Sequence, residues 1–430
     1  MNIAILGGGL TGLSAGLRLS QKQHSVTIFE QDKVLGGMAS GFTAEGWGWP
    51  LEKTYHHIFL NDRHIQKLFE EVKGKQFFFK KIKTSSLYKV GIDNYRIFPV
   101  DTPQDILLFP LLGLIDKIRA GAIVAFLILS PFLSVYEKTT AAQFLKKYMG
   151  NKVWEVLWQE LFRKKFGKYA ENILASFIWA RIKKRTSALG YPQEGFQSFI
   201  EALSNRGREH GIKINPANNV VKIAKSADIF RVVYEKEGDR FEEGFDAIVS
   251  TLPTPVFLQI AHGLLPLEYE ANLSKIRYLH STNLILETED PVLMKEYWLN
   301  ICDKDAPMMV MVQHTNLVDP SHYGNKHILY IANYLEEHHP LFQAQKKKVL
   351  ETHVSYISKV FNTKPRVLRS FLFKTYFSQP LFTKTFPQNM PRFKTPIKNL
   401  YMANLDMTYP YDRGTNAAVK LGSEVVDNML

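Results

Sequence analysis

The strongest constraint on this chain lies in its opening, "MNIAILGGGLTGLSAGLRLSQKQHSVTIFE". Asn2 to Leu6 is a short apolar run, which predicts a buried parallel strand. Gly7, Gly9 and Gly12 follow in G-x-G-x-x-G spacing. The first glycine permits a tight turn, the second lets backbone approach a pyrophosphate, and the third lets the next helix pack close to the strand. That helix, predicted from Leu10 to Gln21, aims its positive N-terminus at the pyrophosphate. "SVTIFE" predicts a second strand ending in Glu30, near the roughly 20-residue separation expected of the acid that bonds a ribose hydroxyl. The glycine spacing alone is a weak signal; strand, helix and acid together make it a βαβ dinucleotide site. An acid at position 30 disfavours a 2′-phosphate, and with it NADP.

A second glycine pair, Gly36-Gly37, lies in "KVLGGMASGF", where a simple NAD domain has no use for one. Here the chain resembles the large flavoprotein superfamily of amine oxidases, protoporphyrinogen oxidases and phytoene desaturases. The resemblance implies FAD, with the doublet bringing backbone amides near the flavin and its phosphates. It also implies a fold: an α/β, Rossmann-like FAD-binding domain of the glutathione-reductase-2 type, interleaved with an α+β substrate domain. The C-terminus should then return to the cofactor. "IKNLYMANLDMTYPYDRGTNAAVKLGSEVVDNML" reads as a strand over 399–405, a loop, and a helix over 415–429 with Gly414 at its start. The resemblance places that helix N-terminus at the flavin pyrimidine ring. Where many relatives carry Gly-Asp after the last strand, this chain has Asn404 and, one place late, Asp406; either is a candidate for the ribityl chain. In the middle, "LGYPQEGFQSFIEALSNRGREHGIKIN" precedes a strand in which Val221 would meet the adenine side through its backbone. "FDAIVSTLPTPVF" predicts another buried strand, ending in Pro253.

The expected organisation is FAD-domain segments at 1–75, 191–265 and 396–430, a helical insertion on the substrate and membrane side at 76–190, and a substrate-domain sheet and helix at 266–395. "YWLNI", "QHTNLV" and "HYGNKHILYIANYL" in that last insertion look like a protoporphyrinogen oxidase-like branch. No second G-x-G-x-x-G exists, so reoxidation by oxygen, a quinone or another external acceptor is expected rather than by an internal nicotinamide domain.

A length of 430 residues exceeds one small core, and 45% hydrophobic with 22% charged residues is ordinary for a folded protein, which argues against disorder. The single cysteine, Cys302, excludes an internal disulfide framework and a thiolate zinc site, and fits a reducing cytosol. The net charge of +13 comes without zinc-finger spacing, an arginine-rich arm or an RNP-like motif, so nucleic acid is not an expected partner. Basic residues cluster in "FRKKFGKY" and "ARIKKRTS", read as solvated helix faces or as a patch for an anionic membrane surface. The start lacks the charged n-region of a signal peptide. "AGAIVAFLILSPFLSVY", Ala120 to Tyr136, is short for a span and interrupted by Ser130 and Pro131; a buried or membrane-dipping helix is expected. The expected location is therefore cytoplasmic, peripheral on the inner face of the membrane.

"EKTYHHIFLND" holds adjacent histidines, His56 and His57. Neighbours on a strand point to opposite faces, which disfavours a shared metal ion, and no metal is expected. Core packing is one reading. The other follows from likeness to the His-Ile-Phe loop of UDP-galactopyranose mutases, which places His57 beside the flavin. Three functions are weighed. The first is an FAD-dependent oxidoreductase, of oxidase, dehydrogenase or desaturase type, that removes hydride from an apolar or lipid-like substrate. The alternative is a UDP-galactopyranose mutase-like flavoenzyme, acting on a nucleotide sugar with no net redox; it needs arginines and tyrosines around a diphosphate, for which Tyr409, Tyr411 and Arg413 are candidates. The third, a non-enzymatic relative like the guanine-nucleotide dissociation inhibitors, is disfavoured by the intact glycine motif and Glu30. His57, Tyr411 and Arg413 are the expected reacting-side residues.

Overall fold

The computed structural model of the chain describes residues 1–74 and 76–429. Strand β1 (Asn2–Leu6) leads into helix α1 (Leu10–Gln21) and strand β2 (Ser25–Phe29), with Glu30 just past β2. Three later strands, β3 (Lys213–Asn215), β4 (Ala247–Ser250) and β5 (Leu400–Met402), join them in one parallel sheet of order β3-β2-β1-β4-β5. A central parallel strand is covered on both faces, which is why Ile3 to Leu6 are wholly apolar or small and fully buried. The C-terminal helix, Thr415–Met429, packs along α1, so the ends of the chain close the same layer.

Two strands are shorter than expected. β4 ends at Ser250 rather than Pro253, because Pro253 opens the next helix, Thr254–Ile260. β5 stops at Met402, and a 3-10 turn over Leu405–Thr408 follows. Asn404 ends the strand by accepting the Asp406 backbone N–H with its side chain, the local bonding by which Asn favours turns.

A seven-stranded sheet stands beside this layer, in the order Val367–Pro380, Tyr278–Thr288, His327–Leu335, Val310–Gln313, Trp298–Ile301, Thr84–Gly91 and Asn94–Pro99. Its last two strands correct the expectation of an all-helical insertion after residue 75. "TSSLYKVGIDNYRIFP" is rich in β-branched and aromatic residues around an Asp-Asn turn, with Asp93 at φ 50°. It forms a hairpin that pairs in parallel with Trp298–Ile301. Helices follow: α2 (Leu114–Leu129), then a π-helical stretch at Trp154–Trp158 running into α3 (Gln159–Phe166), then α4 (Ala175–Lys184). Trp154 and Trp179 are core residues, whereas Trp158 is half-buried.

Of the two expectations for the apolar run, buried or membrane-dipping, helix α2 overturns the buried one. It is neither buried nor long enough to span: only Ala120 and Leu127 are buried, and among the described residues no helix could cross a membrane. Leu114, Ile115, Ile118, Phe126 and Leu129, at helical spacing on one side, are exposed, joined by Leu107 and Leu108 before the helix and Phe132 and Val135 after it.

Candidate active site

Three glycines and one acid build the cofactor seat. Gly7 takes φ 107°, a conformation that side chains disfavour, and its N–H donates to the Phe29 carbonyl, turning β1 into α1. A Cβ on Gly12 would lie 2.0 Å from the Gly7 carbonyl oxygen, so only glycine lets α1 start there. The Glu30 carboxylate accepts N–H bonds from Gly8 (2.8 Å) and Asp32 (3.0 Å); burial nonetheless raises its pKa. The second doublet docks on the first: Gly36 donates to the Gly8 carbonyl at 2.9 Å, and Gly9 and Gly36 form a bridge. Gly9 and Gly37 then present bare backbone to one another, Gly9 lacking any atom within 3.9 Å of a Cβ position.

The other expected cofactor residues lie at the same edge. Val221 sits at a bulge in a separate three-stranded antiparallel sheet, between the paired Val220 and Lys222, so its own peptide is outside the ladder. That strand is tethered to the acid through Asn218, whose N–H donates to the Glu30 carbonyl at 2.8 Å. Asn404 is spent within the protein, on the Leu252 carbonyl (3.1 Å) and Thr254 (3.0 Å). Asp406 accepts the Thr254 and Tyr278 hydroxyls on Oδ2, while Oδ1 is buried and has no partner among the described residues; burial raises its pKa to about 6. Thr415, the first residue of the C-terminal helix, likewise buries an unpartnered Oγ1 just past Gly414. Bare glycine backbone at one end and orphaned acceptors at a helix N-terminus at the other fit a long dinucleotide with a hydroxylated chain.

Tyr55, His56 and His57 occupy the segment between the short strands Leu51–Glu52 and Ile58–Phe59, not a strand, so the opposite-faces expectation does not apply. Their side chains are part-exposed yet lie deep in the molecule, which puts them on the wall of a cleft. Burial, then the neighbouring cations, pull His56 to about 4 and His57 to about 3, so both imidazoles are neutral. His56 bonds the Thr54 carbonyl at 2.7 Å, and His57 Nδ1 meets the Tyr297 hydroxyl at 3.2 Å, beside the Trp298 and Phe59 rings.

Arg413 enters the same cleft. It bonds the Tyr334 hydroxyl, lies over that ring, and reaches Met38 Sδ at 3.4 Å. Tyr411 does not go in: its side chain is 39% exposed at the rim, 6.3 Å from the Trp179 ring. One residue of the basic clusters, taken for surface in the sequence, turns inward instead. Lys165 of α3 pairs with Asp412 at 2.7 Å and sits over Tyr334. Arg181 of α4 is exposed, and its charge is felt by Asp412. Burial alone would raise Asp412; Lys165, Arg181 and Arg413 together pull it to about 2.

With this geometry, the profile of the flavin containing amine oxidoreductase family matches residues 10–430, and the chain belongs to that family. The family is one of flavin-containing oxidoreductases, and FAD is the cofactor; the chain spans less than two thirds of the length of the curated relatives it matches. It is 25% identical over 296 residues to the coproporphyrinogen III oxidase of Staphylococcus aureus (strain NCTC 8325 / PS 47), a match covering 60% of this chain and 61% of that protein. It is 40% identical over 77 residues to 4,4'-diapophytoene desaturase of Staphylococcus haemolyticus (strain JCSC1435), covering 18% of this chain and 15% of the relative. Its fold matches the crystal structure of reduced UDP-galactopyranose mutase with a TM-score of 0.77, at 14% identity, over 99% of this chain and 95% of the other.

Proposed function

We propose that this enzyme removes hydride from an apolar substrate that it takes from a membrane surface. The observation that carries the reading is the continuity between the exposed apolar crest of α2 and the rim of the cleft. The carbonyl of Ser130, where α2 ends, accepts the Trp179 indole N–H at 3.0 Å; Trp179 stacks on Tyr136 and adjoins Tyr411. Sequence likeness to a coproporphyrinogen III oxidase and a diapophytoene desaturase supports a porphyrinogen or an isoprenoid as the substrate class. The net charge of +13 supports an anionic bilayer as the surface.

In this reading Gly7, Gly9, Gly12 and the α1 N-terminus hold the pyrophosphate, Glu30 a ribose, the Val221 backbone the adenine, and Gly36 and Gly37 the flavin-side phosphate. Asp406, positioned by Asn404, serves the ribityl chain with its spare Oδ1; Gly414 and the helix behind it serve the pyrimidine edge. FAD held by these residues would supply the hydride acceptor, two electrons with one proton, with oxygen or a quinone as the final electron acceptor. The chain's own part is to orient the substrate between His57, Trp298 and Tyr55, and to exclude water. The neutral His57 cannot deliver a proton as an imidazolium, so the second proton leaves by another route.

The test is anaerobic. Purified holoenzyme is mixed with porphyrinogen, isoprenoid and polyprenyl fractions of a membrane extract, and the oxidised-flavin band is followed. Bleaching by one fraction identifies the substrate class. Bleaching by none, with turnover of nucleotide sugars by pre-reduced enzyme, replaces this reading with the mutase.

A further inference from the structure

We infer that Tyr278, the first residue of its strand in the seven-stranded sheet, is a positioning residue for the cofactor: with Thr254 it occupies one oxygen of Asp406 and so leaves the other for a hydroxyl of the ribityl chain. This rests on the assignment of Asp406 to the ribityl chain made above. Three elements meet at this buried carboxyl group. Asp406 lies in the 3-10 turn Leu405–Thr408, Thr254 opens the helix Thr254–Ile260, and Tyr278 opens the strand Tyr278–Thr288. Both hydroxyls reach the same oxygen, Oδ2. The Asn404 amide sets the direction at Thr254. Its Oδ1 accepts the Asp406 N–H, so its Nδ2 donates to Thr254 Oγ1 at 3.0 Å, and the Thr254 proton is left for Asp406. Oδ2 is thus filled by two donors, while Oδ1 is buried with no partner among the described residues. A buried carboxyl oxygen without a partner is unfavourable. An alcohol hydroxyl, which donates as well as accepts, suits it in either charge state.

The strand that carries Tyr278 is shaped at the same place. Leu279 pairs with Gln379 and Ser281 with Thr375, so His280 alone faces Tyr376, Phe377 and Ser378. In this bulge Phe377 takes φ 52°, a left-handed conformation that a bulky side chain rarely adopts. Its N–H donates to His280 Nδ1 at 2.9 Å, and its ring meets the Tyr278 ring edge-on at 5.7 Å. Strain of this kind persists only where the surroundings impose it. Here it backs the ring whose hydroxyl reaches Asp406. Through that hydroxyl the seven-stranded sheet bears on how the parallel layer holds FAD.

The test compares FAD with ADP, which has the adenosine and the pyrophosphate but neither ribityl chain nor flavin. Holoenzyme is stripped of FAD, and the dissociation constants of both are measured. Tyr278→Phe removes only the hydroxyl; it should weaken FAD about tenfold and leave ADP unchanged. Thr254→Val should do the same, whereas Thr254→Ser, which keeps the hydroxyl, should bind FAD as wild type does. In an Asp406→Ala background, Tyr278→Phe should have no further effect. Undiminished FAD affinity in Asp406→Ala removes the ribityl assignment and the inference with it. Weaker FAD binding in Asp406→Ala but not in Tyr278→Phe overturns the inference and leaves the assignment standing. Equal weakening of FAD and ADP by Tyr278→Phe, or the same loss whether or not Asp406 is present, makes Tyr278 a packing residue and overturns the inference.

Discussion

A methyl group on Gly12 would overlap the Gly7 carbonyl oxygen, and that oxygen belongs to backbone locked between β1 and α1, so neither atom has room to yield. Gly12→Ala should therefore cost about 2 kcal/mol or more and release FAD, read as a lower thermal midpoint and a colourless preparation. A yellow, equally stable variant would show that α1 can start elsewhere. At His57 the expectation concerns pH. An imidazole held near 3 does not ionise between pH 5 and 9. His57→Ala should slow turnover by less than about a hundredfold and leave the shape of the rate–pH profile unchanged, because orientation is lost and proton transfer is not. Disappearance of a limb from the profile would mean that His57 titrates after all. Gly12, Glu30, His57 and Arg413 were legible in the sequence because each stands in a short local pattern. Lys165 was not, because a cation on a helix looks alike whichever way it points. The π-helical stretch at Trp154–Trp158, which feeds α3, hides its facing further: each extra residue turns the helix by about 100°.

At the scale of elements, α2 carries a hydrophobic stripe on the wrong side for a core. Ile118 is 60% exposed and Leu129 79%. Such a helix gains by lying in a bilayer interface, and each aliphatic side chain withdrawn from water contributes about 1.5–3 kcal/mol when fully buried. The double substitution Ile118→Glu, Leu129→Glu should reduce binding to anionic vesicles about tenfold or more in a flotation assay, without moving the thermal midpoint. Unchanged flotation would overturn α2 as a membrane-binding face. The element itself was visible as an apolar run, but a run has no direction; only the packing of α4 against its other side decides which face is left bare. The same limit explains the hairpin at Thr84–Gly91 and Asn94–Pro99, whose sequence reads as strands but whose partner, Trp298–Ile301, lies about 200 residues away in the chain. By contrast α1 and the C-terminal helix needed nothing distant to be read, since glycine, cap and apolar period mark them locally.

For the whole molecule, the question is what ties distant segments of the chain together, and Glu52 joins three of them. It is fully buried on the first segment. Its carboxylate accepts the Tyr191 hydroxyl (2.9 and 2.7 Å) and the Phe196 N–H (2.8 Å), both from the second segment. Its backbone carbonyl accepts the Tyr330 hydroxyl from the seven-stranded sheet at 2.7 Å. No hydrogen bond or ion pair to a cation is among these contacts, and burial raises the carboxyl pKa from 4.5 to about 7, with the N–H and hydroxyl bonds pulling the other way. The folded protein therefore holds this proton more tightly than the unfolded chain does. Stability contributed by the group is full below about pH 4.5, falls as pH rises, and is lost above about 7. The loss amounts to about 3 kcal/mol across that window. Glu52→Gln keeps the shape and the acceptor and cannot ionise, so its denaturation midpoint should stay level from pH 5 to 8 relative to wild type, whose midpoint declines, and the two curves should diverge most between pH 5 and 7. Parallel curves would mean that the ionised carboxylate is fully compensated by Tyr191 and Phe196, and that the junction holds without its proton.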